Sequence, residues 1–93
     1  MGQKLITRSV TAENQFTDPA TIVGYFNVSI SGVFDAIITA QRSFDLGSTF
    51  FDVKQWTAVI EEYGFEPERG VQYRIGVKFG DYENGIPVLR LSQ

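Results

Sequence analysis

The stretch "VQYRIGVKF" (71–79) alternates strictly: Val71, Tyr73, Ile75, Val77 and Phe79 are separated by Gln72, Arg74, Gly76 and Lys78. A side-chain period of two sustained over this stretch predicts a β-strand with one buried and one wet face. Upstream, "IVGYFNVSIS" (22–31) repeats the pattern, with Ile22, Phe26, Val28 and Ile30 on one side and Tyr25, Asn27 and Ser29 on the other. "DAIITAQRS" (35–43) is rich in β-branched residues, and "STFFDV" (48–53) follows it across a turn at Asp45-Leu46-Gly47-Ser48. Gly47 supplies the positive φ that such a hairpin turn needs.

Other segments extend the same reading. In "QWTAVIEEYG" (55–64), Trp56, Val59, Ile60 and Tyr63 also fit helical spacing, but every neighbour reads as strand, and strand is preferred. "FEPERG" (65–70) predicts a turn stiffened by Pro67 and closed by Gly70, and Asn84-Gly85 predicts a tight turn. "IPVLRLS" (86–92) is a last strand, lying at an edge or starting just beyond Pro87, which cannot donate to a ladder. "KLITRSVT" (4–11) reads as a weaker strand, and "AENQFTDPAT" (12–21) as a mobile loop plugged by Phe16. About seven short strands with turns between them predict a single small antiparallel β-sandwich, Ig-like or jelly-roll-like. Residues 19–93 form that domain, and 1–18 a flexible arm or an edge strand. Tyr73, just after a Gly-closed turn, sits where Ig-like sandwiches place a corner tyrosine whose hydroxyl ties down a loop.

Composition narrows the chemistry. The 93 residues contain no cysteine and no histidine, so disulfides, thiolate metal sites and the commonest general base are absent. A chain this short buries only about 60–65% of its unfolded surface, which makes a modest core. The net charge of -3 is mild, and the eight basic residues are scattered from Lys4 to Arg90, without the clustered footprint that nucleic acid requires. No apolar run resembles a signal peptide, and no stretch of about 18 apolar residues could span a membrane. Ile6 stands where a myristoylation pattern wants Ser or Thr. The expectation is a soluble protein made in the cytoplasm, with no cofactor, nucleic acid or membrane partner.

The turn region "RSFDLGSTFF" (42–51) matches an Asp box: Ser43, Asp45, Gly47, Thr49 and then aromatic Phe50. The pattern recurs in sialidase-like propellers, but a propeller needs roughly four to eight blades of about 40 residues each, far beyond this chain. The box therefore reads as a structural turn. Asp45 accepts backbone N–H bonds, Thr49 adds a side-chain bond and the Phe50 ring packs beneath. The carboxylates do not pair as a glycosidase requires: Glu61 and Glu62 are adjacent, and Glu66 and Glu68 flank Pro67 in a turn. Asp81, Glu83 and Asn84 lack the ligand repeat of an EF-hand, and no metal site is assigned. Eight Phe, four Tyr and one Trp are more than a solvent-facing platform needs, so most must fill the core. Phe50 and Phe51 must face opposite ways, leaving one of them outward.

The runs "GVFDAIITAQRSFDLGSTFFDV" (32–53), "EPERGVQYRIGVKFGDYENG" (66–85) and "VLRLSQ" (88–93) resemble small proteins encoded among the virion structural genes of tailed bacteriophages and prophages. Their shared look is "LQRSFDGG-x-TW", a "YR-x-x-V-x-x-G" strand and a short terminal strand. This chain departs from it at Ala40, Leu46 and Phe50. The resemblance spans roughly residues 24 to 93 and implies a non-enzymatic virion protein, such as a head decoration or cement protein. It carries no catalytic residues.

The expected partner is then the major capsid protein or another virion protein, engaged as a small homo-oligomer taken to be a trimer. A partner interface is expected on the N-terminal segment, at Leu5, Ile6, Val10 and Phe16. The alternative is a carbohydrate-binding or host-adsorption module on the particle.

Overall fold

The structure, a computed structural model, describes residues 4–93, and among these there is no helix. Nine strands follow in order: β1 (Leu5–Ser9), β2 (Gln15–Phe16), β3 (Ala20–Ser31), β4 (Phe34–Ala36), β5 (Ile38–Ser43), β6 (Phe51–Trp56), β7 (Ile60–Val77), β8 (Tyr82–Gly85) and β9 (Val88–Ser92). All pairings are antiparallel. Seven strands make one sheet, ordered β1-β9-β3-β7-β5-β6 with β2 also on β7, and β4 and β8 form a separate ribbon. The all-β fold is as expected. Two-residue β2 and the short ribbon β4–β8, which weak period-two signals do not reveal, add three strands to the expected seven, and the fusion of the strands expected at 55–64 and 71–79 into β7 removes one.

The large sheet bends back over itself. Phe26 pairs with Gly64 and Tyr73 with Ala20. Six positions separate Phe26 from Ala20 along β3, about 20 Å at strand rise. Yet the Phe26 and Tyr73 ring centres are 4.8 Å apart. The bend lies where the β3–β7 register breaks between Ile22 and Gly24, and β7 carries Pro67-Glu68-Arg69-Gly70 as unpaired excess. Gly24 and Gly70 have φ of 81° and 81°, a conformation glycine adopts without strain. Thus "FEPERG" is not a chain reversal: it is a bulge inside one long strand. Bulges re-aim strands in this way at the corners of sandwiches and barrels.

The bend brings both halves onto one core. Ile22, Phe26, Val28 and Ile30 of β3 meet Val71, Tyr73, Ile75 and Val77 of β7, with Ile38 of β5 and Leu89 and Leu91 of β9. Gly64 is needed here, because a Cβ on it would stand 2.7 Å from the Phe26 ring.

The N-terminal segment belongs to the fold. β1 is an edge strand, pairing Leu5–Ser9 with Ser92–Val88 of β9. Val10 is fully buried, and the buried Thr17 hydroxyl accepts a bond from Ile75 N–H. The loop expected at 12–21 is instead anchored by β2, where Phe16 lies against Gly76 so closely that no Cβ would fit there. Asn84-Gly85 is not a tight turn either. It ends β8, and Gly85 (φ 88°) lets the backbone approach Val33 and Phe34. β9 begins just beyond the buried Pro87, as expected, but lies between β1 and β3 rather than at an edge.

Candidate functional site

The Asp box builds a self-contained turn between β5 and β6. Ser43 Oγ donates to Asp45 Oδ1 at 2.7 Å and accepts from Gly47 N–H at 2.9 Å. Asp45 Oδ1 also accepts from Thr49 N–H at 2.8 Å. The Ser43 hydroxyl, and then the Thr49 amide, hold the Asp45 carboxyl below its ordinary range. Leu46 (φ 61°) and Gly47 (φ 90°) both adopt the left-handed region, and Phe50 lies under Gly47. Both bonds to the Asp45 carboxylate fall on Oδ1 and come from within the turn. Phe50, which precedes β6, is half buried with its ring against the Arg74 guanidinium, and Phe51 is exposed.

Tyr73 secures the bulge. Its hydroxyl donates to Glu66 Oε1 at 2.7 Å, and Glu66 Oε2 accepts from Glu68 N–H at 2.9 Å. Arg42 Nη2 also donates to Glu66 Oε1 and forms an ion pair with it. Glu66 is fully buried. Burial pushes its carboxyl up, but the Tyr73 hydroxyl, the Glu68 amide and the Arg42 guanidinium outweigh it and hold the group below its ordinary range. Burial, reinforced by the Glu66 carboxylate, raises the Tyr73 phenol well above its ordinary value. A carboxylate saturated by three donors is a structural tie, not a free acid or base.

The surface features lie elsewhere. On the outer face of β3 and β7, Tyr25 (68% exposed), Tyr63 (74%) and Phe65 (56%) form one cluster. The Tyr25 ring centre is 4.8 Å from that of Phe65 and 6.0 Å from that of Tyr63. Beside them opens a seam, since no ladder joins β6 to the first half of β7. Val53 and Trp56 of β6 face Tyr63 and Phe65 across a cleft of about 160 Å³ floored by Phe26 and Tyr73. Glu62 bridges the cleft, accepting from Lys54 Nζ at 2.6 Å and from Trp56 Nε1 at 2.6 Å. Those donors, Lys54 first, hold its carboxyl below the ordinary range. As a partly exposed pair it sets geometry more than it stabilises. The edge of β6 away from β5 borders this seam, with Phe51 and Val53 about half exposed.

The four N-terminal interface residues do not make one patch. Val10 lies in the core, Ile6 packs against that core, and Phe16 is half buried. Only Leu5 is mostly exposed, at 57%. Val10 is therefore withdrawn from the interface, because its side chain is wholly enclosed. The cluster that sequence reasoning missed, Tyr63 and Phe65 opposite Tyr25, has its own signal: Glu61, Tyr63 and Phe65 recur at period two with Gly64 between the rings.

Among the described residues, no group of three His, Cys, Asp or Glu side chains is placed to hold a metal ion. No family model, curated protein or solved structure matches this chain.

Proposed function

We propose that the chain is a non-enzymatic structural protein of a tailed-bacteriophage virion, a decoration or cement protein that binds and stabilises the head shell. The observation that carries this reading is the cluster of Tyr25, Tyr63 and Phe65, presented outward on paired strands next to an open seam. Rigid strands present such rings without the ordering cost of a loop. Aromatic side chains bury about 150–250 Å² each, so these three at their exposures offer roughly 300–500 Å². A stable one-to-one interface needs about 800 Å² from each partner. One copy alone would bind weakly, whereas many copies on a repeating lattice gain by avidity. The resemblance of residues 32–53 and 66–93 to virion proteins supplies the setting. A small homo-oligomer, formed through the open edge of β1, would extend the contact further.

The alternative, a sugar-binding module, draws on the same rings. Their planes are inclined by 57° and 59°, however, which leaves no flat platform for a sugar face. Pelleting with undecorated shells tests the proposal. Wild-type protein should co-sediment, and Tyr25→Ser/Tyr63→Ser should not, with an unchanged melting curve. Undiminished pelleting of that variant overturns the assignment, and micromolar glycan binding abolished by it supports the sugar module instead.

A further inference from the structure

A second surface, apart from the aromatic cluster, presents a prepared cation. Arg74 projects from the wet face of β7, and its guanidinium carbon lies 4.2 Å from the Phe16 ring centre and 3.8 Å from that of Phe50. Phe16 comes from β2 and Phe50 from the β5–β6 turn, so two distant segments close on one side chain. Arg74 Nε donates to Gln41 Oε1 at 2.8 Å, which fixes the plane of the fork. Gln41 is held in turn, its Nε2 donating to Asp52 Oδ1 at 2.8 Å.

The ends of the fork are unused. Among the described residues, Arg74 Nη1 and Nη2 have no hydrogen-bond partner, and no carboxylate lies within ion-pair distance. Neither atom is a buried orphan, so both reach solvent. The nearby acid is already matched, because Lys78 Nζ donates to Asp52 Oδ2 at 2.6 Å. Burial lowers the Arg74 pKa, which marks a partly dehydrated cation without a counter-charge. Around it Asn14, Phe16, Gln41, Lys78 and Phe79 line a shallow cleft of about 400 Å³. Phe79, 80% exposed, forms an uncovered apolar wall.

We infer that this cleft binds a carboxylate, received by the Nη1–Nη2 edge of Arg74 and carried by an acidic side chain of a protein partner whose apolar neighbour rests on Phe79. A guanidinium fork matches a carboxylate in a bidentate manner, and stacking removes the freedom that would otherwise be lost on binding. A carboxylate matches the charge better than phosphate: with Lys78 paired to Asp52, Arg74 offers one unmatched positive charge, which one carboxylate neutralises and a dianion overshoots. The cleft is too open to enclose a small molecule, which suits a side chain delivered by a surface. The inference does not rest on the aromatic cluster.

The test is an NMR titration of the full chain at constant ionic strength, following the Arg74 Nε–H and Phe79 amide signals. The probes are acetyl-Leu-Glu-Leu-amide, its Gln counterpart, acetate and inorganic phosphate. The Glu peptide should give saturable millimolar shifts, at least tenfold tighter than acetate, with the Gln peptide and phosphate weaker still. Arg74→Met, whose stem can stay between the rings, should weaken the Glu peptide at least tenfold. Arg74→Lys, which keeps the charge without the fork, should weaken it several-fold. Non-saturating shifts, equal binding of the Gln peptide, or unchanged binding by both variants overturns the site. Tighter phosphate overturns the carboxylate assignment, and acetate equal to the peptide overturns the protein-borne source.

Discussion

Replacing Glu66 by alanine removes the acceptor on which the β7 bulge is built. Three donors lose their partner at once: Arg42 Nη2, the Tyr73 hydroxyl and the Glu68 amide. Breaking a buried ion pair from one side costs about 3–5 kcal/mol. The Arg42 side chain is 29% exposed and can partly rehydrate, which favours the lower end of that range. Tyr73 is only 5% exposed, so its stranded hydroxyl adds about 1 kcal/mol or more. The expected loss is about 3–4 kcal/mol, against a total of roughly 5–14 kcal/mol for a domain of this length. Urea unfolding of both proteins reads the difference directly. Tyr73→Phe should cost about 1–2 kcal/mol, and much less in the Glu66→Ala background, as a double-mutant cycle would show. The pH dependence follows from the lowered Glu66 pKa. Its contribution is fully present above the unfolded carboxylate value of about 4.3 and is lost as pH falls through the folded value. The gap between wild type and variant should therefore hold constant from neutral to mildly acidic pH and narrow in strong acid. A loss under 1 kcal/mol, or a gap that widens in acid, would refute the reasoning.

Three further outcomes are expected. Ser43→Ala strands Gly47 N–H and removes a donor to Asp45, costing about 1–2 kcal/mol in thermal melts; no change would show that the turn holds without the hydroxyl. Leu46→Gly relieves a left-handed leucine and should raise stability by up to about 1 kcal/mol, since the strain removed slightly exceeds the added chain entropy; a loss of more than 1 kcal/mol would mean the Leu46 side chain is needed. Deleting residues 1–18 should unfold the domain, because it removes Val10 from the core and Thr17 from Ile75, and circular dichroism with a folded, cooperative melt for the truncated chain would contradict that.

Local pattern carries far in this chain. The alternation survives over 71–77 as the second half of β7, because a core-facing strand must place Val71, Tyr73, Ile75 and Val77 on one side; it fails at Phe79, which lies beyond the strand and is 80% exposed. The Asp-box turn is equally legible, since all its bonds join residues within four positions of one another. The Tyr73 corner is legible in place but not in partner: its hydroxyl meets the Glu66 carboxylate, brought near only by the bulge. "FEPERG" misleads because a chain reversal and a bulge both call for proline and a positive-φ glycine. The segment at 4–18 is legible only in part: the edge strand holds at Leu5–Ser9, and the flexible arm does not. Its ordering depends on pairing with β9 and β7, which lie more than 50 positions away, and its own period-two signal is weak. Tyr25, Tyr63 and Phe65 become one surface only through the β3–β7 register, which no single segment displays.

We propose decoration of a virion shell through the exposed aromatic face. An electron-microscopy map of the intact particle tests it most directly, at a resolution that fits the bent sheet and its orientation. Density for this chain is expected on the head, with Tyr25, Tyr63 and Phe65 turned onto a neighbouring capsid protein. Absence of the chain from the particle, or that face turned to open solvent, would contradict it.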